Sequence, residues 1–250
     1  MNIVKSSTCM YLNTNRSGLE TECLFGEEVQ ILDEYQDWVY CRLDTDNYCG
    51  WIIKNDLGHI EEINHKINVK RTYIYKDKNA KSDILLYLPM GSKLKIEEVK
   101  CGWAKTSFFV ENKIKIGYVP FSHIVDYNHK VKDWVVMAEQ LLGTPYRWGG
   151  RDTIGIDCSA LLQLSYQTYG QMIPRNSSEQ IKLKKKVLYK INDLKRGCVV
   201  FWRGHVGIMT DEVNCIHANA FHMKTIIEPL KSIIKRTDGE VDIIKMMDFN

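Results

Sequence analysis

Up to about residue 127 the chain changes direction every few residues, and its apolar residues alternate with polar ones. From residue 129 the period lengthens to that of a helix. "EEVQILDEYQDWVYCRL" alternates on either side of a turn at Tyr35–Asp37, and "CGWIIKNDLG" follows it. "GSKLKIEEV", "GWAKTSFF" and "KIGYVPFSHI" repeat the pattern, so residues 1–60 and 65–127 form a weak internal repeat. Alternation at period two places successive side chains on opposite faces of a strand, and short strands with evenly spaced turns point to small all-β barrels. Each unit of about 60 residues is near the lower limit for independent folding, so the units are expected to pack on something. "NHKVKDWVVMAEQLLG" opens the second regime. Trp134, Met137, Ala138, Leu141 and Leu142 follow a helical period there, with Gly143 placed to end it. The expected boundaries are 1–62, 63–128 and 129–250.

Composition narrows the function classes. A hydrophobic share of 44% and a charged share of 26% are those of an ordinary globular chain. A net charge of +3 gives no electrostatic case for nucleic acid. No apolar run approaches the roughly 20 residues of a membrane span, so stable membrane insertion is not expected. "MNIVKSSTCMYLN" has no basic segment followed by an apolar core, so no signal peptide is read and the cytoplasm is the expected compartment, unless a leader has been removed. The eight cysteines contain no Cys-x-x-Cys pair and are expected to be reduced thiols.

One of them is placed at a junction. "GTPYRWGGRDTIGIDCSALLQ" runs from Gly143 through a glycine-rich segment into Cys158 and a helical pattern that continues to Gly170. Asp157 is an N-cap type of residue, and Gly170 is a plausible residue just past the helix end. Cys158 would then lie in the first turn, where unpaired N–H groups and the helix dipole favour a thiolate. Such placement can bring a cysteine pKa from about 8.5 into the range of about 3.5–7.5. A thiol at a helix start is equally compatible with simple packing.

"CVVFWRGHVGIMTDEVNCIHANA" adds two strand-like runs around a polar turn at Thr210–Glu212. A hairpin centred on Asp211 would set His205 opposite His217 on one face. One histidine could accept the Cys158 proton while the other orients its ring.

"PYRWGG…DCSALLQ", "GHVGIM" and "HANA" resemble the NlpC/P60 family of cysteine peptidases, which cut cell-wall peptides. The order cysteine, histidine, third polar residue 12 positions later is that of the family. The resemblance covers residues from about 129 to the end and implies an α+β papain-like catalytic domain. The two upstream units resemble bacterial SH3 domains, the first more sharply, so the implied architecture is two small all-β SH3-like barrels followed by the catalytic domain. The layout is similar to that of γ-D-glutamyl-L-diamino acid endopeptidases.

The resemblance implies Cys158 as nucleophile, His205 as general base and His217 as the residue that orients it. Tyr146 would stand beside the oxyanion. Trp148, Asp157, Ser159, Asn176 and Ser177 match substrate-binding positions, and Glu20 and Tyr48 are the implied contributions of the first unit. A helix cap is the alternative role for Ser177 and Ser178. Asn176 is a departure: related sequences usually carry an aspartate there, so recognition of a substrate ammonium is left without its usual anion. The implied partner is a murein peptide with a free N-terminal L-Ala, cut at the γ-D-glutamyl–diamino acid bond, with no cofactor or metal.

Three other readings stay open. A zinc site could use Cys198, His205, Cys215 and His217, although no Cys-x-x-Cys or close histidine pair supports it. The chain could be a non-catalytic wall-binding module, or a thiol acyltransferase on the same fold. The basic runs "KLKKK" at 182–186 and "KSIIKR" at 231–236 read as solvated faces.

Overall fold

The computed structural model describes residues 2–59, 62–110, 113–236 and 243–250. The chain divides into two compact units, Met1–His129 and Lys130–Asn250.

The first unit realises the repeat in its strand order. In its N-terminal half, Leu19–Cys23, Thr8–Tyr11, Cys49–Ile53, Trp38–Leu43 and Val29–Tyr35 lie side by side in that order, and Asn2–Val4 pairs separately with Leu57–His59. In its C-terminal half the equivalent order is Ile84–Pro89, Arg71–Tyr75, Lys113–Pro120, Trp103–Val110 and Ile96–Lys100. The outlying strands are Lys93–Leu94, His65–Ile67 and Ile124–Asp126. Alternation is visible in Trp38–Leu43, whose every second residue is buried. Val4, Met10, Cys23, Val39, Cys41 and Ile52 form one core. Ile67, Ile74, Leu88, Phe108 and Val119 form another, which also takes in Phe25 from the N-terminal half.

The expected barrels are not formed: among the described residues no sheet closes on itself. Each half splits instead into an open five-stranded sheet and a short separate one. The outermost strands explain why. Val29–Tyr35 is exposed over its last four residues, so it faces solvent where a barrel strand would alternate. A register shift between Ile31 and Asp33 bends it, as one between Ile96 and Glu98 bends its counterpart. The corrected architecture is a β-rich N-terminal region followed by an α+β unit.

The second unit is built on a six-stranded antiparallel sheet. Its order is Lys186–Leu188, Lys245–Asp248, Cys198–Trp202, His205–Met209, Asn214–Asn219 and Lys224–Pro229. Among the described residues four α-helices accompany it: α1 Val135–Gln140, α2 Cys158–Gln167, α3 Ser177–Gln180 and α4 Leu230–Arg236. Helix α1 is shorter than its apolar period suggests. Trp134 and Leu141 flank it in the core, whereas Leu142 is exposed. Helix α2 is buried from Cys158 through Tyr166, including the polar residues Ser159, Gln163 and Ser165; Ser159 bonds Asp157 and Gln163 donates to the Ile173 carbonyl at 3.1 Å. It packs on the His205–Met209 and Asn214–Asn219 strands. Gly170 adopts φ +84° just beyond it, the left-handed conformation that glycine enters without steric cost.

Candidate active site

Local sequence places Cys158. Asp157 is extended (φ −98°, ψ 174°) and accepts the Ala160 N–H at 2.8 Å, which caps α2 and leaves Cys158 in its first turn. The glycine-rich segment wraps this cap. A side chain at Gly150 would come within 2.3 Å of the Gly155 carbonyl oxygen, and the Gly149 N–H reaches Asp157 Oδ2 at 3.0 Å.

Asp157 has a second commitment. Arg175 donates through Nη1 to Asp157 Oδ1 at 2.9 Å and through Nη2 to Oδ2 at 2.6 Å, and Nη1 also reaches Ser159 Oγ at 2.8 Å. Ser159 Oγ in turn donates to Asp157 Oδ1 at 3.1 Å. The two charged side chains are 1% and 9% exposed. Two sequence-predicted substrate residues, Asp157 and Ser159, are therefore held in a buried ion-pair network around the cap.

Cys158 is 7% exposed. Burial pushes its thiol up to about 12, and the Asp157 charge adds to this. The Val206 and Ser159 backbone N–H groups hydrogen-bond the sulfur and oppose the rise, as does Arg175. The lowered thiol pKa expected from the helix start is thus overturned for the resting protein. A helix end contributes at most about 2 kcal/mol, less than the desolvation of a buried thiolate.

Val206 follows His205, so the contact at the sulfur brings α2 to the start of the histidine strand. His205 Nε2 lies 2.8 Å from His217 Nδ1. The two histidines are paired as expected, but not directly across the hairpin. Ile208 is opposite Ile216 and Met209 opposite Cys215, which centres the hairpin on Glu212. The cause is the turn. Asp211 Oδ1 accepts the Val213 and Asn214 N–H groups, each at 2.7 Å, and the Thr210 N–H bonds the Asn214 carbonyl at 2.9 Å. His217 stays on the same face as His205 but sits diagonally to it, within reach of a long side chain.

Burial holds His205 well below its usual value, to about 3, and the neighbouring His217 and Arg236 add to the effect. His217 is lowered too, by burial first, against the pull of Glu228. Both shifts, with the raised Cys158, favour a neutral thiol and neutral imidazoles at rest. The ultraviolet thiolate absorbance of the protein at pH 7, minus that of Cys158→Ala, is expected to be flat and to rise only in strong alkali. A thiolate signal already present at pH 6 would overturn this assignment.

No motif or spacing in the sequence points to the groups beyond His217. His217 Nε2 is 2.9 Å from Glu228 Oε1, and Arg236 holds Glu228 through Nη1 at 3.1 Å and Nη2 at 2.5 Å. Arg236 belongs to a run read as a solvated face, as does Lys185, which instead donates to Tyr166 Oη at 2.5 Å. Arg175 was also unseen.

Tyr146 is half-buried, anchored by its N–H on the Met223 carbonyl at 2.9 Å. Burial first, then the nearby Cys158 and Asp157, raise its phenol to about 12. Its hydroxyl therefore stays protonated and able to donate. Trp148 is 68% exposed, available to a ligand. Asn176 is exposed and stands at the N-cap of α3, with Ser177 half-buried as the first helical residue. The cap position thus falls to Asn176 rather than to a serine, and its side chain makes no capping hydrogen bond. In the other unit, Tyr48 Oη donates to Glu20 Oε2 at 2.5 Å, so these two predicted residues meet each other. Among the described residues no group of three or more His, Cys, Asp or Glu could hold a metal ion, and no helix is long and apolar enough to cross a membrane.

Residues 143–237, which contain the thiol, both histidines and Glu228, match the model of the NlpC/P60 family. The chain carries an NlpC/P60 domain. This places it among the cysteine-type hydrolases. Residues 12–57 match the bacterial dipeptidyl-peptidase SH3 domain, so one SH3-like domain accompanies it. The chain is 27% identical over 221 residues to a γ-D-glutamyl-L-lysine dipeptidyl-peptidase of Bacillus subtilis, covering 80% of this chain and 72% of the relative. It is 25% identical to dipeptidyl-peptidase 6 of Lysinibacillus sphaericus, with 80% of each chain covered. The crystal structure of an NlpC/P60 family protein from Bacillus cereus superposes with a TM-score of 0.78 at 22% identity, over 94% of this chain and 83% of the other, a likeness of fold.

Proposed function

We propose that this protein is a cysteine peptidase that hydrolyses the γ-D-glutamyl–diamino acid bond of short murein peptides with a free N-terminal L-Ala. The observation that carries this reading is the buried thiol at the start of α2, with the Val206 N–H on its sulfur and the His205–His217 pair beginning one residue away. The names of the relatives over most of the chain supply the substrate class.

In this reading His205 takes the Cys158 proton as the sulfur attacks the γ-carbonyl carbon of the D-glutamyl residue. The carbonyl oxygen becomes an oxyanion, held by the Tyr146 hydroxyl and the Cys158 N–H. His205 then returns the proton to the amine of the diamino acid, which leaves, and a thioester remains. Water, deprotonated by His205, attacks the thioester carbon and releases the acyl product and the thiol. His217 holds the His205 ring throughout. The upstream repeat, with its two halves of equal strand order, reads as a pair of SH3-related units. Reduced thiols suit the cytoplasm, the compartment this reading assigns.

The substrate ammonium needs an anion, because a buried unpaired charge is costly. Asn176 supplies none, and both oxygens of Asp157 are taken by Arg175. Trp148 and Ser177 are the substrate contacts this reading assigns within the second unit. Asn176→Asp is expected to lower KM for L-Ala-γ-D-Glu-diaminopimelate more than it lowers KM for the N-acetylated analogue. Equal cleavage of both substrates by the wild type, with the ratio unmoved in the variant, would mean that the free amine is not read.

A further inference from the structure

We propose that Glu228 is a positioning residue that fixes the proton arrangement of both histidines, so that the nitrogen of His205 left for Cys158 is bare. The inference rests on the reading of Cys158 as nucleophile and His205 as its base. It goes beyond that reading in adding a fourth member behind His217.

Hydrogen-bond bookkeeping carries it. An ionised carboxylate only accepts, so the 2.9 Å contact between Glu228 Oε1 and His217 Nε2 requires the proton on Nε2. A neutral imidazole has one N–H, so His217 Nδ1 is then an acceptor. His205 Nε2, 2.8 Å away, must supply the donor. That places the single proton of neutral His205 on Nε2 and leaves its Nδ1 with a free lone pair. One carboxylate therefore sets two tautomers in series.

The surroundings keep Glu228 in that role. Its carboxyl is 11% exposed and is braced by Arg236, which binds both oxygens. Although burial opposes ionisation, Arg236 and His217 hold it below the usual carboxylate range. His222 Nε2 stands further off, at 3.8 Å from Oε1. Asn219 Nδ2 also approaches His217 Nε2, at 3.2 Å, while Asn219 Oδ1 accepts the His222 N–H at 2.8 Å. The amide and the carboxylate compete for Nε2, and the shorter, charge-assisted bond prevails, being about twice as strong as a neutral one. The strand register makes the arrangement: Cys215 is opposite Glu228 and His217 opposite Ile226, so Glu228 reaches His217 diagonally on one face.

Two measurements test this, and neither needs a peptide substrate, so an error in the assigned substrate leaves them valid. In the nitrogen-15 spectrum of the unmodified protein, His217 is expected as the Nε2–H tautomer and so is His205. An Nδ1–H tautomer at His217 overturns the proposal, whether or not any variant folds. Second, the rate at which iodoacetamide alkylates Cys158 at pH 7, followed by mass mapping of that cysteine, is expected to fall about tenfold in Glu228→Gln, since an uncharged amide forms the weaker bond and fixes no tautomer. In a His217→Asn background the same substitution is expected to add nothing, because the tautomer it controls is gone. An unchanged rate in Glu228→Gln, or an equal further drop in the His217→Asn background, shows that Glu228 does not act through His217.

Discussion

Cys158→Ala is expected to leave no measurable peptide cleavage while the protein stays folded, and His205→Ala to lose about 10²–10⁴-fold in kcat, the usual weight of a general acid–base group. The two losses have different origins. In the proposed mechanism the thiol forms the covalent intermediate, and no other nucleophile at the start of α2 is assigned that role. In the proposed mechanism His205 moves the proton in both half-reactions, so its loss would leave a thiol that burial holds protonated near neutral pH. His217→Asn should keep measurable activity, because an amide can still bond the His205 ring. Cys198 and Cys215 are fully buried in the core that also holds Trp202 and Leu230, and replacing either by alanine is expected to cost stability but not kcat. Steady-state kinetics on one tripeptide for these five variants checks the ranking. Retained turnover in Cys158→Ala, or a His217 variant more impaired than His205→Ala, contradicts the roles.

The second large effect is on stability. Arg175→Met removes the partner of a carboxylate that is 9% exposed. Breaking a buried pair by deleting one member costs about 3–5 kcal/mol, since the other charge is left uncompensated. Asp157 caps α2, so the loss falls on the element that carries Cys158. Asp157→Asn added to Arg175→Met should recover part of the loss, because asparagine still caps a helix and no unpaired charge remains. Urea unfolding of the two singles and the double gives the coupling directly. A loss below about 1 kcal/mol in Arg175→Met, within the range of an exposed pair, would show that the network does not hold the cap.

What could be read in the sequence was local or periodic. The Asp157 cap and the left-handed Gly170 bracket α2 as their residue types suggest. The repeat before residue 127 appears as two sheets of equal strand order. Closure into barrels could not be read, because it depends on pairing between strands far apart in the chain and on bulges that bend their edges. The hairpin centre moved by one residue because Asp211 binds two backbone N–H groups and lengthens the turn. Arg175, Glu228 and Arg236 were hidden for another reason. Each is an ordinary charged residue in sequence, and only the fold brings Arg175 to Asp157, Glu228 to His217 and Arg236 to Glu228, across 18, 11 and 8 residues.

The central claim is that the Cys158 thiol cuts the γ-D-glutamyl–diamino acid bond. Its most direct test is mass spectrometry of the products from L-Ala-γ-D-Glu-meso-diaminopimelate incubated with the wild type and with Cys158→Ala. The account predicts L-Ala-D-Glu and free diaminopimelate from the wild type, with an acyl adduct on Cys158 in acid-quenched samples, and intact tripeptide from the variant. Cleavage at another bond, or the same products from Cys158→Ala, would contradict it.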